Sequence, residues 1–451
     1  MLITNGTVLT FGKEKRVLPG GAVYFEGDTI KDVGFTSELT AKYPNAETLD
    51  ADGKIIMPGL LCAHTHFYGA FARGMAIPGT PATNFVEILE KLWWKIDRAL
   101  TLEDSKASAQ VALVDAIRHG TTTLIDHHAS PDAIDGSLDA IAEAVLESGL
   151  RASLCYEVTD RNGEAGADAG IAENVRWLKK VRDMRARGEA GAEQLGASFG
   201  LHASLTLSDE TLAKCVAAAE GLDTGFHIHL AEDKADEQDS LQKYNMRTAE
   251  RLESRGILGE KTIVAHAIHV DEFEMGALKL SGTKVTHQPR SNMNNAVGVA
   301  KVERMLEKGI TVGLGNDGFS NNMFTEMAFA YLLHKSAQGN PQAMGGNTVM
   351  ELAFENNAKI AEIFFPKPVA ALEPGAYADI ILLDYYPFTY ITDGNYPWHI
   401  IFGMDGSRVT HTIAGGKMLM KDRELLYLDE KAIAAHAREL SAKVWDKVAD
   451  M

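Results

Sequence analysis

The 451-residue chain reads as an α/β protein, a (β/α)8 TIM-like barrel with a small β-sandwich domain built from both chain ends. Three observations predict this. Over residues 58–370, short apolar or β-branched runs alternate with longer Ala-, Glu- and Leu-rich helical stretches. The two chain ends share a strand-and-turn texture that the middle lacks. Finally, polar residues in the middle runs collect at their C-terminal ends, the rim where barrels carry their chemistry.

Residues 1–57 form the N-terminal part of the small domain: MLITNGTVLTF, GGAVYFEGDTIKDVG and ETLDADGKIIMPG read as strands that turn at Asn5-Gly6, Gly27-Asp28 and Asp52-Gly53. The barrel follows over 58–370. Its eight strand runs are placed at 55–66, 121–128, 152–158, 196–203, 224–230, 261–269, 283–289 and 310–317, with helical stretches such as LEDSKASAQVALVDAIRHG and SDETLAKCVAAAEG between them. An open doubly wound sheet is the competing architecture, but no GxGxxG follows an early strand. Residues 371–451 return to strands in DIILLDYYPFTYI and SRVTHTIAGGKMLMKDREL, and end in an Ala-rich helix from about Asp429 to Val448. The segment from Phe67 to Leu100 is a long first connection with its own helical piece, suited to covering a pocket or joining a subunit interface.

Composition narrows the class. Apolar residues make up 45% and charged residues 24%, which is ordinary globular usage. Lys and Arg number 44 against 62 Asp and Glu, a net charge of −18 that opposes binding by phosphate neutralisation. Cys62, Cys155 and Cys215 lie far apart with no CxxC, so neither a disulfide scaffold nor a thiolate zinc site is expected. No signal-peptide core opens the chain and no run reaches the roughly 18 apolar residues of a membrane span. A soluble, cytoplasmic protein is the expectation.

The chemistry gathers at the strand ends. His64 and His66 close the first strand with period-2 spacing, so both imidazoles face one side. His229 ends the fifth strand and Asp317 the eighth. A closed barrel sets strands one and eight side by side with strand five across from them, so three nitrogens and one carboxylate oxygen can meet at the mouth around one divalent metal ion per chain. Zinc leads for that donor set and Fe2+ is compatible. Glu232, three residues past His229, is spaced to shuttle a proton near the ion without binding it, although a loop carboxylate in a charged run would look similar. His266 on strand six is placed to donate to the oxygen formed at an attacked carbon, and His202 on strand four to contact substrate.

Further pocket candidates are His287 at the end of strand seven and His127 or His128 at the end of strand two, where opposite parity lets only one face inward. Arg73 suits a carboxylate or ring carbonyl, and Trp93 an aromatic substrate, while Trp93-Trp94 can equally pack the helix down. Cys62 reads as a small packed side chain, and His227 as packing beneath the site.

The segments PGLLCAHTHFYG, GLHASLTLSDE, HIHLAED, AHAIHV, HQPRSNMNN, GLGNDGFSNNM and LEPGAYADIILLD, in this order, resemble the amidohydrolase superfamily, specifically its aminohydrolase branch of guanine, cytosine and S-adenosylhomocysteine deaminases and triazine chlorohydrolases. The LWWKIDRAL stretch and the length are most similar to the SsnA group of aminohydrolases. The resemblance implies that His64, His66, His229 and Asp317 are metal ligands, Glu232 the proton shuttle, His266 the histidine beside the activated water and His202 a substrate contact. Asp317 would also orient that water. It further implies deamination of a small amino-substituted purine or pyrimidine with release of ammonia, in a homo-oligomer with a dimer favoured. Asn316 stands where many relatives have Thr or Ser, and HQP replaces the more usual HNP.

Three alternatives remain at this stage. Removal of chloride, or hydrolysis of a cyclic amide on a similar ring, would use the same water, although GASFGLHASL has no lysine to bridge a second metal. A non-catalytic metal-binding or structural subunit is the second. A nucleic-acid deaminase is the third, and the chain lacks its PCxxC.

Overall fold

A computed structural model describes residues 1–451 apart from Pro78. Five strands open the chain: β1 (Leu2–Leu9), β2 (Val17–Glu26), β3 (Thr29–Phe35), β4 (Thr48–Asp50) and β5 (Ile55–Pro58). The barrel strands follow: β6 (Leu60–Thr65), β7 (Thr121–Asp126), β8 (Arg151–Leu154), β9 (Leu195–Ala197), β10 (Phe199–Ala203), β11 (Phe226–Leu230), β12 (Ile263–His266), β13 (Lys284–His287) and β14 (Val312–Leu314). The last four are β15 (Ile380–Leu383), β16 (Val409–Ala414), β17 (Lys417–Lys421) and β18 (Glu424–Leu425).

The end strands combine into one mixed sheet in the order β18-β17-β16-β15-β5-β1-β2-β3, with β4 added beside β1. Neither end could bury its apolar face alone. Together, Ile3, Val23, Phe25 and Ile56 from the first segment and Ile380, Leu382 and Ile413 from the second enclose a separate core. The seam is the antiparallel pairing of β15 with β5, Ile380 opposite Pro58.

The barrel strands pair in parallel as β6-β7-β8-β9 and β10-β11-β12-β13-β14. β9 and β10 are one strand broken at Ser198, a bridge between Val158 and Leu201 ties the two sets, and a bridge between Thr65 and Asp317 closes β14 onto β6. The structure is therefore an α/β barrel of eight strand positions with a small sandwich-like sheet beside it. The apolar run at 55–66 divides between the two: Ile55–Pro58 pairs in the small sheet and Leu60–Thr65 in the barrel. Gly59 makes the step, where a Cβ would lie 2.2 Å from Thr122 Oγ1.

On β6 the alternation is clean. Cys62 joins the main barrel core on the His64 side, while Leu61 and Ala63 pack outward against Ile360 and Phe364. The first connection carries a short 3₁₀ turn at Phe67–Ala72 and a helical stretch from Phe85 to Ala99. The last helix, Glu430–Asp450, capped by Asp429, does not join the small sheet. Leu440, Val444 and Val448 pack on Phe71, Ile96 and Leu100 of that connection, and Trp445 Nε1 donates to the Phe71 carbonyl (2.7 Å). Among the described residues no helix is long and apolar enough to cross a membrane, and all three cysteines are free and buried.

Barrel and small sheet are joined by charge as well. Arg151 on β8 donates to Asp379 just before β15 (2.5 Å) and lies 3.7 Å from the Tyr377 ring centroid, and both partners are buried. The other Asp379 oxygen accepts from Gly415 N–H (2.7 Å). Removing one partner strands a buried charge, so Asp379→Ala should lower stability by about 3–5 kcal/mol. The urea midpoint measures this, and a midpoint within error of the parent would show that the joint holds without the pair.

Candidate active site

The ends of β6, β11 and β14 bring His64, His66, His229 and Asp317 together. Asp317 Oδ1 lies 2.9 Å from His66 Nε2 and 3.6 Å from His64 Nε2, and His229 Nε2 lies 3.2 Å from His66 Nε2. The opposite ring nitrogens are tied down. His66 Nδ1 donates to the His127 carbonyl (2.6 Å) and His229 Nδ1 to the His202 carbonyl (2.9 Å). His64 Nδ1 is 2.9 Å from His227 Nε2. With Nδ1 spent, each Nε2 presents its lone pair to the shared point.

Two facts test whether a cation fits there. His64 Nε2 is fully buried with no hydrogen-bond partner. And two imidazole lone pairs 3.2 Å apart repel unless a proton or a metal ion lies between them. The residues present fit a divalent ion. Burial lowers His64 to about 3 and holds His229 well below its ordinary value, so both stay in the neutral, metal-binding form. Burial alone would raise Asp317, but its contacts with the His64 and His66 imidazoles hold it well below the usual carboxylate range. The same contact outweighs burial at His66 and raises it to about 9, a sign of how strongly this carboxylate calls for positive charge.

His266 converges on the same point. It groups with His64, His229 and Asp317 as a possible ligand set, and its Nδ1 is fixed by Asn292 Oδ1 (2.8 Å). Its Nε2 lies 3.4 Å from Glu232 Oε2. Glu232 is raised to about 7, first by burial and further by the charge of Asp317, with His266 opposing. Asn295 reaches its other oxygen at 3.4 Å, and Ser291 donates to Asp317 Oδ2 (2.5 Å).

Backbone strain marks the same rim. Ala231, His266, Ala267 and Asp317 all have positive φ, between 45° and 71°. Gln288 steadies one of these turns by accepting from the His266 N–H (3.1 Å), and Asn316 Nδ2 bonds Asn321 and the Ser320 carbonyl to shape the loop after β14. The two departures from the relatives' pattern thus have structural partners here.

A cavity opens over these groups. His66, His202, His229, Glu232, Asp317 and Trp93 line it, with Phe85, Leu89, Trp94 and Leu205 as an apolar wall. Arg73 lines a neighbouring cavity on the other side of Trp93. His127, His128 and His287 reach neither cavity wall. His127 is buried beneath the rim, its Nε2 donating to the Leu201 carbonyl (3.0 Å) and its Nδ1 3.4 Å from Glu157. His128 turns to Ser130 (2.9 Å). His287 lies 3.2 Å from His334, because the chain enters the helix Pro289–Asn294 immediately after β13 and brings Ser291 and Asn295 to the site in its place.

Sequence reasoning missed Asp97 and Glu157, which line the cavity, and Arg161 behind them. Arg161 donates to Asp97 (2.9 Å) and Glu157 (3.2 Å) and stacks 4.8 Å from the Trp94 ring. Burial pushes Asp97 up to about 6 despite Arg161. Burial works the same way on Glu157, but the charges of His202, His127 and Arg161 hold it below the usual range. Glu157 follows the strand-end rule that exposes His229, while Asp97 is hidden in a helix.

Residues 55–419 match the model of the amidohydrolase family. The chain is 31% identical over 452 aligned residues to the 5′-deoxyadenosine deaminase of Methanosarcina mazei, with 99% of each chain covered. It is 30% identical to the 5-methylthioadenosine/S-adenosylhomocysteine deaminase of Desulforudis audaxviator, covering 95% of this chain and 96% of that one. Among solved structures, an adenosine deaminase from Xanthomonas campestris with bound zinc superposes with a TM-score of 0.87 at 23% identity, covering 98% of each chain, a likeness of fold.

The seam between β14 and β6 sets the distances in the site. A Cβ on Gly315 would lie 2.7 Å from the His64 carbonyl oxygen and 2.8 Å from the His64 nitrogen, backbone atoms that cannot swing aside. Gly315→Ala should therefore lower stability by about 1–3 kcal/mol. Chemical unfolding measures it, and a midpoint equal to the parent's would mean that the seam has slack.

Proposed function

The chain belongs to the amidohydrolase family, and on that premise we propose that it is a metal-dependent aminohydrolase that removes an amino group from a purine- or pyrimidine-type ring. Water adds at the amino-bearing carbon, the carbon–nitrogen bond breaks, and a ring carbonyl and ammonia result. The observation that carries this reading is the convergence of three imidazole Nε2 atoms and one carboxylate oxygen close to the buried carboxyl group of Glu232. His64, His66, His229 and Asp317 would hold one divalent ion, zinc before iron for this donor set. Such an ion supplies a Lewis acid and brings a water's pKa from 15.7 toward about 7.

The chain's own groups then divide the proton work. Asp317, anchored by Ser291, accepts a hydrogen bond from the attacking water and orients it. Glu232, whose burial favours the protonated form, gives its proton to a ring nitrogen and so makes the adjacent carbon electrophilic. Deprotonated, it takes a proton from the nucleophile and passes it to the leaving amine. His266, with Nδ1 held by Asn292, keeps Nε2 beside Glu232, where it takes the second proton of the water, returns it to Glu232 and so restores the acid as the ring carbonyl forms. His202 and Trp93 would contact the ring. The names of the relatives, nucleoside deaminases at 30–31% identity, support amine over chloride as the leaving group. We place the chain in the SsnA group on its LWWKIDRAL stretch and expect a cytoplasmic homo-oligomer, a dimer by preference.

Purified protein supplied with zinc should hold close to one ion per chain and release ammonia from at least one member of an aminopurine and aminopyrimidine panel. Glu232→Gln should keep the ion while turnover falls about 10²–10⁴-fold, and turnover that persists would remove Glu232 from the mechanism. His229→Ala should lose the ion itself. Elemental analysis reads this directly, and a full metal complement in that variant would falsify the assigned ligand set.

A further inference from the structure

The histidines of the cluster differ in what holds them. His66 and His229 give their Nδ1 protons to backbone carbonyls, which can only accept, so their tautomers are settled on the spot. His64 has no such anchor. Its Nδ1 lies 2.9 Å from His227 Nε2, and an imidazole nitrogen can stand at either end of a hydrogen bond. Were the shared proton on His227, the proton left to a neutral His64 would sit on Nε2, pointing into the cluster and shutting out a cation. The tautomer of His227 therefore decides whether His64 can be a ligand.

His227 has a second partner, and it lies outside the site. Its Nδ1 is 3.8 Å from the sulfur of Cys155, the residue after β8, and that sulfur lies 3.5 Å from the backbone carbonyl oxygen of Asp126 on β7. The carbonyl has no proton to give, so the thiol hydrogen belongs between sulfur and oxygen. Burial pushes the Cys155 thiol well above its ordinary range, and that hydrogen stays in place. The sulfur then has only lone pairs to offer His227, so Nδ1 must carry the proton and Nε2 must accept. The relay runs one way: Cys155 donates to Asp126, His227 to Cys155 and His64 to His227. It ends at His64 Nε2, the buried atom without a protein partner. All four residues are 0% exposed, so solvent does not reach the relay to reverse it.

Resting on the metal assignment above, we infer that Cys155 is a positioning residue for the ion. Through His227 it fixes the tautomer that lets His64 bind a divalent cation, although Cys155 itself does not line the cavity. Two of the histidine ligands are thus oriented by backbone directly, and the third by backbone acting through two side chains.

The test is the zinc affinity of the metal-stripped full-length protein, read by competition with a chromophoric chelator. Cys155→Ala removes the acceptor for His227 and should weaken zinc binding by about tenfold or more. Cys155→Ser keeps a group that can accept from His227 and donate to Asp126, and should stay within about threefold of the parent. His227→Gln can turn an amide oxygen, which only accepts, toward His64. In that background the further change Cys155→Ala should cost less than about threefold. Nitrogen NMR of the zinc-loaded parent should show His227 protonated at Nδ1, and this measurement decides alone if Cys155→Ala fails to fold. Parent-like zinc affinity in Cys155→Ala overturns the inference, as does an equal loss in the His227→Gln background, a Cys155→Ser as weak as Cys155→Ala, or a His227 protonated at Nε2. Ammonia assayed on the same zinc-loaded parent judges the reaction separately. The expected affinities without ammonia would uphold the relay and remove the deamination, whereas a parent that takes up no zinc removes both.

Discussion

Four ligand-type groups crowd around one point inside a barrel mouth, and the rest of the architecture follows from the cost of that crowding. Imidazole lone pairs 3.2 Å apart and a buried carboxylate are tolerable only if each side chain is prevented from turning away and a positive charge sits among them. Backbone carbonyls of His127 and His202 provide the restraint by holding Nδ1 of His66 and His229, and His227 does so for His64. Those carbonyls belong to β10 and to the residue just past β7, so the ring orientations are set by sheet register and not by loop conformation. A barrel suits this need because its strand ends are fixed by hydrogen bonding on both sides.

Register also explains where strain is stored. Positive φ at His266 and Asp317 turns the chain sharply at the last residue that can still be held by the ladder, and both side chains reach the same cluster with His64 and His229. The turn at Asp317 is secured because Asn316 and Asp317 both donate to the His64 carbonyl, at 3.0 and 3.1 Å. Position and chemistry are thereby coupled. The residue that would bind the ion also completes the closure between the first and last strands.

Much of this is visible in the bare sequence because strand ends obey simple rules. Period-2 spacing places His64 and His66 together, and a histidine or aspartate at the end of an apolar run has few places to go except the rim. The same rule misjudges positions where the chain bends at once. His287 ends its strand as His229 does, yet Pro289 starts a helix there and diverts it to His334. His127 and His128 keep both their ladder hydrogen bonds and their opposite parity, so only His127 turns inward, but it lies beneath the rim and not on the cavity wall, while His128 turns to Ser130. The division of 55–66 between two sheets is hidden for a different reason, since Ile55–Pro58 and Leu60–Thr65 are equally apolar and only pairing partners distinguish them. Asp97 has no local signal at all, because its meaning comes from Arg161 and Glu157, which are distant in sequence.

The helix Glu430–Asp450 closes back onto the connection between the first two barrel strands, with Trp445 holding Phe71 and an apolar stripe backing Ile96 next to Asp97. During translation this helix emerges after every barrel strand. A nascent chain can therefore assemble the histidine cluster early, while the wall bearing Trp93, Trp94 and Asp97 still lacks its support. The order of synthesis thus separates the two parts of the cavity: the strand-end cluster can form first, and the wall opposite it is completed only when this helix docks.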